Sequence, residues 1–328
     1  MIHFLSLFRN ALNKAAYCKN CRICMLECPH GALKITEDSV ALKDCRHCHK
    51  CLEMTRGCWC AISLAVGSGI DGMNIARMDR YARFGLKSDW IKIYFEDAEN
   101  FWTNNIMGNR MFDSFKNWGR EIELLDKDKN PAPSYKKLAA LGVNSLKVWG
   151  IFWVNLAYNS PLINFFVKNV DFDLVCDNDL LINLFGDSLK ERTRNNALTS
   201  LKDTLKSSPI GEGLNQGICE MKGRQVISIT RKIWSNPESL VILYSLYKFA
   251  EKGDIYSFTL TNLLEDSDER ESLSPKILFG LSEENLRPIL QGLANDYPKF
   301  INVDFNKGFM ENIFLNKDKT FNDVIELF

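Results

Sequence analysis

The sequence has no excess of charge of either sign and no unbroken apolar run long enough to span a membrane. Its 41 basic and 41 acidic residues give a formal net charge of zero, so binding to nucleic acid or membrane by overall charge is not indicated, although a local basic face is compatible with it. The most apolar later segment, 148–167, contains three asparagines and a proline. It is too interrupted for a membrane span and favours a pair of buried helices. The first residues also lack the layout of a signal peptide, and we expect a cytoplasmic protein that does not bind membranes.

Histidine and cysteine are scarce after residue 60. All four histidines precede residue 50, and nine of the eleven cysteines fall between Cys18 and Cys60. A chain of 328 residues does not need disulfide staples, so this crowding predicts a metal site rather than a disulfide framework. The two remaining cysteines, Cys176 and Cys219, are isolated, and we expect them to be core thiols.

The first cysteine motif, at residues 18–29, has the spacing C-x2-C-x2-C-x3-C-P. This is the run of bacterial ferredoxins, in which three thiolates surround one iron–sulfur cube and the fourth reaches the other cube. Pro29 turns the chain away after the last ligand, because proline cannot continue a hydrogen-bonded helix. The predicted ligands in this motif are Cys18, Cys21, Cys24 and Cys28.

The second cysteine motif repeats the two-residue gaps but departs from the pattern at its fourth ligand. Its first three predicted ligands are Cys45, Cys48 and Cys51. The position expected for the fourth is Thr55, and two further cysteines follow it. The Ala-Leu pair at 32–33 in the first half matches the Ala-Ile pair at 61–62 in the second, and this alignment places Cys28 nearest to Cys58. Cys58 is therefore the predicted eighth ligand, with Cys60 as the alternative.

Between the two motifs, two short apolar runs flank a polar turn at 37–39, which is typical of a hairpin. The hairpin completes the internal two-fold repeat of a dicluster ferredoxin and predicts crossed ligation. One [4Fe–4S] cluster is expected on Cys18, Cys21, Cys24 and Cys58, and the other on Cys45, Cys48, Cys51 and Cys28. Structural zinc is the alternative, but zinc takes four ligands, usually from two CxxC pairs, so two cysteine triplets would supply too many thiolates.

The remaining sequence predicts a mainly α fold with small β elements. A ferredoxin-like dicluster module of class α+β is expected at 1–66, a helical domain at 75–234 and a winged-helix-like domain at 235–328. The stretch 63–74, rich in glycine and small residues, is the predicted linker after the first module. In the last domain, three helices followed by a hairpin give the winged-helix order, but its candidate reading helix, 282–296, carries acids that suit phosphate poorly.

The helical domain opens with the outline of a helix-turn-helix unit. A helix near Asp89, a turn at 104–109 and a basic helix at 110–125 follow one another. An ordinary helical hairpin with a solvated basic face is the alternative. The DNA-binding candidates on the second helix are Arg110, Lys116 and Arg120. A second, mildly basic stretch contains Lys190, Arg192, Arg194, Lys202 and Lys206.

Residues 80–232 resemble a family known as domain of unknown function 4007. The stretches that carry the resemblance are FGLKSDW at 84–90, IMGNRM at 106–111, Trp118, LAALG at 138–142 and WVNLAYNSP at 153–161. Members of that family are found beside phosphoadenosine-phosphosulfate-reductase-like proteins and are linked to DNA modification or phage defence. The resemblance implies a DNA-binding protein near sulfur chemistry and supplies no catalytic residues.

Taken together, the motifs and the resemblance predict an iron–sulfur electron-transfer and scaffold protein. Its expected partners are a phosphoadenosine-phosphosulfate-reductase-like protein, which handles sulfur, and duplex DNA. The alternative is an iron–sulfur, redox-sensing, DNA-binding regulator. The sequence has no glycine-rich nucleotide loop and no nucleophile motif, so we expect a non-catalytic electron-transfer or accessory subunit rather than an enzyme.

The choice between the two candidate eighth ligands predicts a difference in iron content. Anaerobically purified protein should be brown and hold about eight irons per chain, four thiolates serving each cube. Cys58→Ser should lower the iron content much more than Cys60→Ser, because a cube left with three thiolates is labile. The reverse ranking would show that the two halves are misaligned, and a colourless protein with stoichiometric zinc would contradict the clusters themselves.

Overall fold

The computed structural model describes residues 33–35, 40–42, 78–103, 107–186, 189–264, 271–306 and 309–328. The chain divides into two compact units, Met1–Met73 and Asn74–Phe328. The predicted boundary between residues 234 and 235 falls inside the second unit. The eight predicted cluster ligands, and Cys60, lie outside the described residues.

In the first unit, the described residues form one antiparallel pair of strands. β1 (Leu33–Ile35) pairs with β2 (Val40–Leu42), and Leu33 lies opposite Leu42. The two strands flank the polar residues 37–39. The hairpin predicted between the two cysteine motifs is therefore confirmed.

The second unit begins with three helices. They are α1 (Ser88–Glu96), α2 (Asn109–Glu121) and α3 (Tyr135–Leu141). The N-cap of α1 is Lys87, and Asp89, near which the helix was predicted, lies in its first turn. Since α1 ends at Glu96, the connection to α2 runs from 97 to 108. It is longer than the predicted turn at 104–109 and than the three to four residues usual in a helix-turn-helix.

The next two helices are the buried pair that the apolar segment predicted. α4 (Leu146–Asn159) is buried continuously over 148–157 and is followed at once by α5 (Pro161–Asn169). The Ser160 hydroxyl accepts a hydrogen bond from the Ile163 amide at 3.3 Å, which caps α5. Within the part of the chain that the structure describes, no helix combines the length and apolarity that a membrane crossing needs.

A three-stranded antiparallel sheet follows, with two helices. The elements are β3 (Val175–Asp177), α6 (Asn178–Leu184), α7 (Glu191–Ser207), β4 (Ile218–Lys222) and β5 (Gln225–Thr230). The strand order is β3–β5–β4, so Cys176 and Cys219 lie opposite Ile229 from its two sides. Cys176 is buried, as predicted, and Cys219 is half-buried. Burial raises the pKa of both thiols to about 11.

The last part of the chain adds a second three-stranded sheet and five helices. The elements are α8 (Ser239–Gly253), β6 (Ser257–Thr259), α9 (Leu260–Leu264), α10 (Pro275–Phe279), α11 (Glu283–Asp296), β7 (Ile301–Asn306), β8 (Phe309–Leu315) and α12 (Phe321–Ile325). The strand order is β6–β8–β7, all antiparallel. As predicted, α8 is buried nearly all round, over 241–250. The predicted class, mainly α with small β, is confirmed.

One buried cation connects these parts of the second unit. Arg231, directly after β5, is only 1% exposed. Its Nη1 donates to the carbonyl oxygens of Val167 and Val170, each at 2.9 Å, and its Nη2 donates to that of Ile277 at 2.8 Å. These carbonyls belong to the C-terminal ends of α5 and α10, where the helix dipole favours a positive charge. The guanidinium also lies 4.2 Å from the ring centroid of Phe172.

Burial lowers the pKa of Arg231 to about 9, and the nearby Asp171 carboxylate acts in the opposite direction. The guanidinium therefore stays charged at neutral pH. Its hydrogen bonds join the end of α5, the end of β5 and α10. The acceptors are neutral carbonyls, so no carboxylate has to be buried beside the guanidinium.

Replacing Arg231 with methionine should lower the free energy of unfolding by about 3 kcal/mol or more, because several buried carbonyls lose their donor and each unsatisfied group costs about 1–3 kcal/mol. Urea unfolding followed by circular dichroism measures the change. Arg224→Met, at an exposed position between β4 and β5, is the matched control and should stay within about 0.5 kcal/mol of wild type. Equal losses in the two variants would contradict the assigned role.

Candidate functional site

The three predicted DNA contacts lie on α2, and the structure separates them. Lys116 Nζ lies 3.1 Å from the Asp113 carboxylate. The Arg120 guanidinium donates to the carbonyl oxygen of Lys127, just beyond the end of α2. These contacts engage both side chains within the protein, whereas Arg110 is exposed in the first turn of the helix.

Arg110 lines a cleft of about 680 Å³ at the N-terminal ends of α2 and α7. The lining residues are Ala82, Arg83, Arg110, Asp113, Glu191, Arg192, Asn195 and Asn196. We call it the arginine cleft, because three arginines from three separate segments meet there. Arg192 belongs to the second basic stretch noted in the sequence. Arg83 was not predicted, because only the tertiary structure brings it beside the other two.

The Arg83 loop, residues 80–86, is held against α2 by side chains of that helix. Trp118 Nε1 donates to the carbonyl oxygen of Phe84 at 3.0 Å. Asn117 Nδ2 donates to the carbonyl oxygen of Arg80 at 2.8 Å. Both bonds satisfy backbone carbonyls of the loop, so they fix its path along one side of α2.

The other side of the Arg83 loop is held by α7. The Gly85 amide donates to the Asp203 carboxylate at 2.8 Å, and the Leu86 amide donates to the Thr204 hydroxyl at 2.9 Å. The loop thus bridges α2 and α7 through backbone hydrogen bonds. This bridge brings the N-terminal turns of the two helices to the same cleft.

A buried polar cluster anchors the start of the loop. The Tyr81 ring stacks on Trp118 with a centroid distance of 3.7 Å, and the Tyr81 hydroxyl donates to the Glu121 carboxylate at 2.7 Å. The same hydroxyl lies 2.5 Å from the Ser160 hydroxyl, and Arg80 forms an ion pair with Glu121. Burial raises the pKa of Tyr81, so it stays a hydrogen-bond donor. The buried carboxylate is therefore both hydrogen-bonded and neutralised.

Two consecutive residues of the loop have a left-handed backbone. Ala82 has φ of 52° and Arg83 has φ of 74°, a region that residues other than glycine seldom occupy. Each such residue costs on the order of 1–3 kcal/mol and persists only where its surroundings over-determine it. Here the anchors on either side, Tyr81 and Phe84, supply that constraint. Arg83 is consequently held in place at the cleft rather than carried on a free loop.

Charge in the cleft is unbalanced in favour of cations. Within the described ranges, Arg83, Arg110 and Arg192 form no ion pair with a carboxylate. Two acids line the same cleft: Asp113, which is paired with a lysine, and Glu191, which lies in the first turn of α7. Three cations face two carboxylates, one of which is already neutralised.

The backbone adds to this preference for anions. The N-caps of α2 and α7, Gly108 and Lys190, make no side-chain capping hydrogen bond. The first amides of both helices therefore keep free N–H groups at the positive ends of their dipoles. With three guanidinium groups and the Asn195 and Asn196 amides, the cleft can bind a multi-oxygen anion such as a phosphate group.

The described residues do not bring together the side chains that a metal site usually needs. Among the residues that the structure describes, no group of three or more His, Cys, Asp or Glu side chains is placed to hold a metal ion. The two cysteine motifs are not among those residues.

Comparison with known proteins gives one structural likeness. No family model and no curated protein matches this sequence. The fold is similar to a crystal structure of magnesium ion-bound SspB, with a TM-score of 0.55 and 15% sequence identity, over 76% of this chain and 89% of that one. At this identity the likeness concerns the fold alone. The resemblance to the domain of unknown function 4007 family stays a prediction.

The close approach of the Arg83 loop to α7 predicts that Gly85 cannot be replaced. A Cβ added at Gly85 would lie 2.1 Å from the Thr204 amide nitrogen, so Gly85→Ala should lower the free energy of unfolding by roughly 1–3 kcal/mol, as overpacking does. The matched control is Gly292→Ala in α11, where the added Cβ meets nothing within 4 Å and should raise stability by about 0.5–1 kcal/mol. Thermal unfolding of both variants measures the difference. A Gly85→Ala protein as stable as wild type would contradict the described contact.

Proposed function

We propose that this protein is an iron–sulfur electron-transfer and scaffold protein whose helical body binds DNA. In this proposal the N-terminal module carries two [4Fe–4S] clusters and supplies electrons to a phosphoadenosine-phosphosulfate-reductase-like, sulfur-handling partner in DNA modification or phage defence. The observation that carries the electron-transfer part is the pair of cysteine motifs. The observation that carries the DNA-binding part is the meeting of Arg83, Arg110 and Arg192 in one cleft.

The cluster part of the proposal rests on ligand chemistry. Cys18, Cys21 and Cys24 would hold one cluster together with Cys58, and Cys45, Cys48 and Cys51 would hold the other together with Cys28. Such clusters accept and donate single electrons. Eight ligands in two linked motifs suit the passage of electrons between partners better than sensing by one cluster.

The DNA-binding part rests on the arginine cleft rather than on net charge. Guanidinium groups bind phosphate oxygens in a bidentate manner, and their charge does not depend on pH in the physiological range. The zero net charge of the chain does not oppose this, because the three arginines lie close together while acids elsewhere balance the total. Of the three predicted DNA contacts, Arg110 alone lines the cleft, so we assign the contact to it.

The C-terminal elements fit a docking role for the partner. In this proposal the segment from α8 to β8 is a winged-helix-like domain, in which four helices rather than three precede the β7–β8 hairpin and the sheet order is β6–β8–β7. In α11, Arg287 forms an ion pair with Glu283, and Glu284 adds a further acid in the same turn. A helix with this charge pattern suits protein contact better than phosphate.

The second candidate function is a redox-sensing, DNA-binding regulator. It is favoured by the presence of a predicted cluster module and a phosphate-binding cleft in one chain. The two functions differ in one respect: a regulator must change its DNA affinity when its clusters are oxidised, and an electron-transfer scaffold need not.

The test is binding of the full-length, anaerobically purified protein to a labelled duplex at low and moderate salt. Arg110→Ala should weaken binding roughly tenfold or more, because a charge-assisted hydrogen bond contributes about 1.5–3 kcal/mol. Arg120→Ala, on the same helix but bonded to a backbone carbonyl, is the matched control and should bind like wild type.

Oxidation of the clusters in the same assay separates the two candidates. Unchanged DNA affinity supports the electron-transfer scaffold, and a large change supports the regulator. Absence of DNA binding by wild type at low salt, or equal binding by wild type and Arg110→Ala, would reject the DNA-binding part of the proposal.

A further inference from the structure

α7 carries a polar stripe on the side opposite its buried face, and this stripe is exposed at its two ends and half-buried in its middle. Its members are spaced three or four residues apart and therefore share one face of the helix. They are Arg192, Asn195, Thr199, Lys202 and Lys206. The opposite face, which includes Ala197, Leu201 and Leu205, is buried. One end of the stripe, at Arg192, lies in the arginine cleft, and the other end, at Lys206, lies in the last turn.

A second group of cations meets the stripe at its Lys206 end. β4 and β5 are joined by a two-residue turn whose first residue, Gly223, has φ of 62°, the position at which type II′ turns take glycine. Lys222 and Arg224 flank this glycine and are both exposed. Lys206 Nζ donates to the Arg224 carbonyl oxygen at 3.2 Å, which places the lysine at the turn. We call Lys206, Lys222 and Arg224 the hairpin cluster.

The acids near the hairpin cluster are few and are engaged elsewhere. Glu220, on β4, accepts a hydrogen bond from the Ser228 hydroxyl at 2.6 Å. Asp203, on α7, accepts the Gly85 amide hydrogen bond and pairs with Lys87 at 3.1 Å. Glu212 is exposed near Cys219. None of the described carboxylates forms an ion pair with a member of the hairpin cluster.

The two basic groups are separated by most of the length of α7. Arg192 and Lys206 are 14 residues apart, which corresponds to about 21 Å along the helix axis at ~1.5 Å per residue. The major groove of duplex DNA is about 12 Å wide, and the phosphates lie on its outer edges. Because the two cation groups are further apart than the groove is wide, they can lie over the phosphates of the two backbones that border it. A mononucleotide is too short to reach both.

The stripe is polar between its two ends. Asn195, which also lines the arginine cleft, is exposed and carries an amide of the kind that pairs with the adenine edge in the major groove. Lys202 Nζ donates to the Asn178 side-chain oxygen at 2.8 Å, so this half-buried lysine is engaged within the protein. Thr199 donates to the Asn195 carbonyl oxygen. The middle of α7 is thus polar, and the exposed cations Arg192 and Lys206 lie at its ends.

We propose that α7 lies across the major groove of duplex DNA, with the arginine cleft on one phosphate backbone and the hairpin cluster on the other. This inference rests on the proposed DNA binding and specifies the form of the ligand, which is a duplex rather than a single strand.

The test compares a labelled duplex with one of its single strands, using the full-length protein under anaerobic conditions over a range of salt concentrations. The double variant Lys222→Ala, Arg224→Ala should bind the duplex at least tenfold more weakly than wild type. The slope of log K against log salt should fall in magnitude by about two, since each phosphate contact contributes about 0.9. Binding to the single strand should change less than threefold. Circular dichroism of the variant should match wild type, because both side chains are exposed at a hairpin turn.

The matched control is Lys317→Ala, Lys319→Ala, which removes the same charge from the turn after β8. In the structure these two lysines pair with Asp254 and Asp323 at 3.8 and 3.7 Å. This control should keep the duplex affinity and the salt slope of wild type.

The outcomes separate the two proposals. If Arg110→Ala weakens duplex binding while the hairpin variant binds like the control, the proposed function stands and the placement of α7 across a groove is wrong. If the hairpin variant weakens single-strand and duplex binding equally, the surface follows one strand and the inference is also wrong. If wild type binds neither form at low salt, the proposed DNA binding fails and this inference fails with it.

Discussion

The buried guanidinium of Arg231 sets the relative positions of segments that are distant in the sequence. It donates to carbonyls 64 and 46 residues away, at the ends of α5 and α10. A guanidinium has its donors in a fixed planar fork, so helices bonded to it cannot rotate independently. Arg231 directly follows β5. This strand pairs with β4 in the hairpin whose turn carries Lys222 and Arg224. The direction in which that hairpin points therefore depends on a hydrogen-bond cluster at its opposite, buried end.

The Arg83 loop is constrained in a similar way at the arginine cleft. Here the constrained part is the backbone. Two left-handed residues in succession would be unfavourable in a free loop, but hydrogen bonds to α2 and α7 hold the chain on both sides. An arginine whose backbone is already fixed would lose less conformational entropy on binding an anion than one on a free loop. The strain in the loop and the fixed position of Arg83 thus have the same origin, which is the close contact between Gly85 and α7.

Much of the architecture could be predicted from local patterns, whereas the site could be predicted only in part. The buried helix pair at 148–167, the hairpin between β1 and β2 and the mainly helical class all follow from periodicity and turn residues. Arg110 was predicted as a contact and lines the cleft. Lys116 pairs with Asp113, three residues earlier, and a pair at this spacing could have been predicted from the sequence. The Arg120 guanidinium donates to a backbone carbonyl, and Arg83 lines the cleft, because of tertiary contacts that no local sequence pattern predicts.

The balance of 41 basic and 41 acidic residues has a consequence for how the molecule would approach a polyanion. The cations of the arginine cleft and the hairpin cluster form no ion pair with a described carboxylate, so the rest of the chain carries an equal net negative charge. Local cationic groups on a neutral chain would orient in the field of a polyanion more strongly than the chain as a whole is attracted to it. The protein would orient before it binds. The electrostatic attraction would act only within the Debye length, which is about 8 Å at physiological ionic strength.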